Sequence, residues 1–136
     1  MDVWNKAHEV TLAVYKCTAS YPREELYGLT SQMRRCSVST GANIAEGCGR
    51  RGNGELHRFL QITAGSASEL EYHLLLSRDL GFLGEEPFRH LTFETQRIKK
   101  MLSSLTRKVD SERACGRCSS PGVRRLTADC RLPIAN

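Results

Sequence analysis

The chain has 136 residues, 40% of them hydrophobic and 26% charged, a balance that suits one hydrophobic core and excludes a wholly disordered protein. Twenty Lys and Arg against fifteen Asp and Glu leave a formal charge of +5, which favours an acidic partner or nucleic acid without demanding one. No apolar run approaches the roughly 20 residues that span a bilayer, and residues 1–6 lack the basic-then-apolar pattern of a leader. A cytoplasmic protein with no membrane partner is therefore expected.

Val3, Ala7, Val10, Val14 and Cys17 recur at three- and four-residue spacing and predict a first helix. Pro22 ends it, because the residue before proline is pushed out of helical geometry. Leu29, Met33, Cys36 and Thr40, then Asn43 and Gly47, predict a weaker, partly polar second stripe. The glycine-rich stretch 47–54 separates it from the third helix, with Asn53 as the expected N-cap. Leu56, Leu60, Thr63, Ala67, Leu70 and Leu74 form the third stripe, closed by Gly81 as a left-handed C-cap. Glu85, Glu86 and Pro87 open the fourth helix, with acids at its positive end. Its stripe is Phe88, Leu91, Thr95, Ile98, Leu102, Leu105 and Val109. Short connections make sequential helices antiparallel neighbours. The expected fold is all-α: an up-and-down four-helix bundle over residues 1–109, followed by a flexible tail over 110–136.

Little in the sequence supports catalysis. Residues 47–52 spell G-x-G-x-x-G, but the dinucleotide fingerprint needs a preceding strand, and a helix precedes this one. Di-metal carboxylate bundles need paired Glu-x-x-His on two helices, and Glu69 with His73 is a single pair. Cys115, Cys118 and Cys130 provide three thiolates where a structural zinc needs four ligands, and Asp129 is a poor fourth. His8, His57 and His90 have no nucleophile at catalytic spacing. Glu46 and Asn43 are expected to form a buried polar pair at the end of the second helix. No enzyme activity, cofactor or metal is expected, and the six cysteines, three in helical stripes and three in the tail, are expected to be reduced thiols.

Two faces lie outside the expected core. On the fourth helix Arg89, Arg97, Lys100 and Arg107 fall within about a 100° arc opposite the apolar stripe, a geometry suited to a polyanion as well as to plain solvation. On the third helix Ile62, Tyr72 and Leu76 lie on the reverse of the core stripe. A helix apolar on two faces is usually buried on both, so this face is expected to meet another copy of the chain.

The residues 25–32 (Glu-Leu-Tyr-Gly-Leu-Thr-Ser-Gln), Arg34, Arg35, the run Ala42-Asn43-Ile44-Ala45-Glu46-Gly47, Phe59-Leu60-Gln61-Ile62 and Gly65-Ser66-Ala67-Ser68-Glu69-Leu70-Glu71 resemble the bacterial four-helix bundle proteins encoded in intervening sequences of 23S rRNA genes. The resemblance covers about residues 2–108. It implies a homo-oligomer, a pentameric ring in relatives, and a fold similar to the accessory protein of diversity-generating retroelements, which partners a reverse transcriptase and binds nucleic acid. Thr40-Gly41 stands where relatives commonly carry Ile-Pro; proline fixes a kink that glycine only permits. The expected function is a non-enzymatic homo-oligomer contacting RNA or DNA through Arg34, Arg35, Arg50, Arg51 and the fourth-helix stripe. The alternative is a scaffold for a polypeptide such as a reverse transcriptase or ribosome-associated factor.

Overall fold

Four helices and their short connections make up residues 2–116, the part of the chain that the computed structural model describes. They are α1 (Asp2–Thr18), α2 (Leu29–Gly49), α3 (Asn53–Asp79) and α4 (Glu85–Gly116), with a single 3-10 turn (Arg23–Glu25) before α2. Each helix packs on two neighbours in the cyclic order α1, α2, α3, α4 and back to α1, which is the antiparallel up-and-down bundle that the four stripes predict.

The core is built from those stripes. Val14, Met33, Leu56, Leu60, Leu70, Leu74, Ile98 and Leu102 are fully buried along the axis, and each large aliphatic side chain so placed is worth about 1.5–3 kcal/mol. Threonines stand among them. Thr40, Thr63 and Thr95 turn their hydroxyls back to the carbonyls of Cys36, Phe59 and Leu91 at 2.7–2.9 Å, so they present methyl groups to the core. Ile44 is the second helix's deepest residue near its end. Asn43, expected in that stripe, sits at its edge and holds the Ser39 carbonyl at 2.8 Å.

The boundaries differ from expectation in three places. The α2–α3 connection is three residues, 50–52, rather than the whole glycine-rich run, because Gly47 and Gly49 are helical. Gly47 is buried at the crossing of α2 and α3, where a Cβ would lie 2.8 Å from Phe59 Cβ. Asn53 is inside α3 instead of capping it, and its amide donates to Glu112 at 3.1 Å. α4 continues past Val109, the last residue of its apolar stripe, to Gly116, so residues 110–116 are helix and not tail. Residues 117–136, with Cys118 and Cys130, lie outside the described residues. The turn after α3 matches expectation. Gly81 has φ of 80°, and the amides of Gly81 and Phe82 close on the carbonyls of Arg78 and Ser77 at 3.0 and 2.9 Å, the double bond of a Schellman ending.

Polar pairs tie each seam. The Thr11 hydroxyl donates to the Ser37 carbonyl between α1 and α2, and Ser39 meets Ser66 between α2 and α3, both at 3.0 Å. Lys99–Glu71 at 2.8 Å and His57–Asp110 at 2.9 Å join α3 to α4. Lys6–Glu94 at 3.3 Å joins α1 to α4.

Candidate nucleic-acid interface

The eight basic residues singled out in the sequence fall in three separate places. Arg89, Arg97, Lys100 and Arg107 are all on the outer side of α4, but the stripe is not uniformly positive. Arg89 lies 3.6 Å from Glu85, and Arg97 lies 3.4 Å from Glu94. Lys100 has no acidic partner among the described residues. Arg50 and Arg51 stand at the far end of α2. Arg50 is taken up by Glu46 at 2.6 Å, so Glu46 is an ion-pair partner at the surface and not part of a buried network with Asn43. Arg51 is exposed at the start of the α2–α3 turn.

Arg34 and Arg35 occupy the opposite end, where α1 finishes and α2 begins. Arg35 crosses to α3 and pairs with Glu69, which also meets His73 at 3.3 Å; this explains the Glu69 and His73 spacing as an interhelix clasp. Among the described residues no cluster of three or more metal-ligating side chains occurs. Arg34 is different. Its Nε donates to the Thr18 hydroxyl at 2.9 Å, and its guanidinium lies over the Tyr15 ring, 4.7 Å from the centroid. A hydroxyl and an aromatic face fix its direction without neutralising its charge.

Around Arg34 the surface is concave and aromatic. Tyr15, Leu26, Tyr27, Thr30, Arg34, Arg35 and Val38 line an opening of about 500 Å3 between α1, α2 and the turn that joins them. Tyr27 is 91% exposed. It stands in the turn before α2, where the Glu25 carboxylate accepts the Leu29 amide at 3.0 Å and serves as the helix cap. Thr30 is 3% exposed, and its hydroxyl finds no hydrogen-bond partner among the described residues. Beneath this site the groups are neutral: burial pushes the Tyr21 phenol and the Cys36 thiol up to about 12, and burial also raises the Cys17 thiol.

A family model described as 23S rRNA-intervening sequence protein matches residues 1–104. The chain belongs to this family. A crystal structure of a protein of unknown function from the S23 ribosomal protein family of Bacteroides thetaiotaomicron superposes with a TM-score of 0.70 at 24% identity, over 76% of this chain and 97% of that one. At that identity the likeness shows the fold. No curated protein matches.

In this member of the family the expected oligomer face needs revision. Ile62 is 41% and Tyr72 60% exposed on α3, but Leu76 packs against the core. The broader exposed apolar surface is on the α1–α2 seam, where Leu12, Tyr15, Leu26, Tyr27 and Val38 are all exposed. Leu12 and Tyr15 lie on the reverse of the α1 stripe, a signal the sequence carries. Tyr27 sits in a turn, where no periodicity marks it.

Proposed function

We propose that this protein acts by binding and not by catalysis, as a self-associating RNA-binding accessory protein. Arg34 carries the reading: a guanidinium aimed by a tyrosine ring and a threonine hydroxyl, with no carboxylate partner among the described residues, beside an exposed tyrosine. Arginine with aromatic side chains is the combination that single-stranded nucleic acid engages. The family's description names 23S rRNA, which makes RNA the ligand to test first. The α4 stripe, with Lys100 and Arg107 facing out, and Arg51 at the far turn, add diffuse attraction for phosphate. Self-association through the outer face of α3, at Ile62 and Tyr72, leaves the Arg34 end open.

An electrophoretic shift with a structured RNA at two salt concentrations tests the binding. A shift that weakens steeply with salt is expected, since neutralised phosphates release counterions; no shift at low salt rejects it. Light scattering behind size exclusion tests assembly, and a clean monomer at micromolar concentration rejects that part. A second reading, a scaffold for a polypeptide such as a reverse transcriptase or ribosome-associated factor, draws on the apolar Leu12, Leu26 and Val38 beside Arg34. It predicts a defined protein retained after nuclease treatment.

A further inference from the structure

We infer that the opening at the α1–α2 turn is a seat for one unpaired nucleotide, the base lying against Tyr27 and Tyr15 and the phosphate against Arg34. The inference rests on the RNA-binding reading and names what that RNA must offer. A base within a duplex is covered on both faces by its neighbours, so an aromatic side chain reaches it only in loops, bulges and ends. Tyr27, 91% exposed, presents such a face, and every base has a complementary one. The opening, about 500 Å3, falls within the roughly 300–1,000 Å3 range of small-ligand clefts, too small for a helix of RNA.

Two further observations mark a built site over an accidental hollow. Arg34 is restrained from two sides, by the Thr18 hydroxyl at 2.9 Å and by the Tyr15 ring, so its remaining N–H groups are already directed and lose little freedom on meeting a phosphate. Thr30, which lines the opening, is only 3% exposed, yet its hydroxyl has no partner among the described residues. A buried hydroxyl left unpaired is costly. The oxygen is closed to water as the opening stands, so a base edge or a ribose 2′-hydroxyl would pair with it only after a small shift of the lining on binding. Two acids of this end are engaged elsewhere: Glu25 caps α2 and Glu69 takes Arg35.

The experiment compares two fluorescein-labelled RNAs by anisotropy on the full chain, a hairpin with an unpaired loop and a blunt duplex of the same length without one. The hairpin is expected to bind about tenfold more tightly or better, from stacking of a single base. Tyr27→Ala, exposed and so without consequence for folding, is expected to bring the hairpin down to the duplex affinity while leaving the duplex unchanged. Thr30→Val, of matching shape, is expected to weaken the hairpin alone. Equal affinity for both RNAs, or a preference that survives Tyr27→Ala, overturns the seat and leaves the RNA reading standing. Binding to neither RNA at low salt overturns both. If a polypeptide that copurifies with the native protein protects residues 15 and 27–34 from hydrogen exchange in the absence of RNA, the opening belongs to that partner and the inference is wrong.

Discussion

Replacing Gly47 by alanine should destabilise the bundle, although alanine is the better helix former. A Cβ at this position would lie 2.8 Å from Phe59 Cβ and 3.2 Å from Leu56 Cδ1. The first of these atoms is one bond from the α3 backbone, so no rotamer change relieves the contact; α2 and α3 must separate. Phe59 is further held by Arg58 and Arg50, stacked 4.7 and 5.7 Å from its centroid. Overpacking of this kind costs about 1–3 kcal/mol, against about 0.5–1 kcal/mol gained from helix propensity. The net loss is about 1 kcal/mol (about 0–2.5 from the two ranges), or roughly 3–5 °C in Tm at this chain length. Gly65, exposed on α3 with nothing within 4 Å of where a Cβ would lie, is the control: Gly65→Ala should raise Tm by about 2–4 °C. Thermal melts read at 222 nm and urea midpoints with an unchanged m-value measure both. A Gly47→Ala protein as stable as the parent, or a Gly65→Ala protein that is weaker, refutes the claim that close approach of the two helices is what selects glycine at 47.

At alkaline pH the fold should weaken from about pH 9. The Cys36 thiol and Tyr21 phenol are raised by burial from 9.0 and 10.0 to about 12, so the unfolded chain ionises first and stability falls between those values, by up to about 1.4 kcal/mol per pH unit for each group. Urea midpoints from pH 8 to 11 should show this, with Cys36→Ala flattening the pH 9–10 portion; a flat profile in the parent contradicts it. In acid the α1–α4 seam should loosen. Burial pushes the Glu94 carboxyl up, but Lys6 and then Arg97 outweigh this and hold it below 4.5. Its contribution is therefore present above pH 4.5 and lost as pH falls through the folded value, and Glu94→Gln should show a smaller drop in Tm between pH 6 and 3. A proline at 41 should cost less than the roughly 3 kcal/mol of an ordinary mid-helix proline, because the Ser37 carbonyl that it would orphan lies 3.0 Å from the Thr11 hydroxyl, which can turn to it from the Ala7 carbonyl at 2.8 Å. A Thr11→Val background should restore the full penalty in thermal melts, and equal losses in both backgrounds would dismiss the compensation.

The fold was readable because its core residues obey one periodicity. Even the buried threonines 40, 63 and 95 fall on it, since a hydroxyl returned to the preceding turn leaves a side chain that packs as an apolar one. Periodicity failed where two adjacent residues compete for a boundary position. Ile44 follows Asn43 directly in the helix, and which one is buried depends on how α2 leans on α3. Leu76 shows the same limit, lying on the reverse of the α3 stripe yet covered by its neighbours. The interface residues were harder still. Arg35 and Arg97 read as free positive charge in the sequence, but their neutralising partners come from another helix or from the preceding turn of the same one, and helix register decides who meets whom. The opening around Arg34 is assembled from residues 15, 26, 27, 30 and 38; Pro22 marks the reversal that brings them together, but no local pattern says which side chains meet across it.

α4 has 32 residues and α1 has 17, so at 1.5 Å per residue one rod is about 20 Å longer than the other. The excess lies beside the start of α3, where Glu112 and Asp110 brace it against Asn53 and His57. The molecule is thus a pole with unlike tips: Tyr27 and Arg34 crown one, and the chain departs from the other. A dye on the exposed thiol of Cys115 is therefore held a full bundle length from that crown.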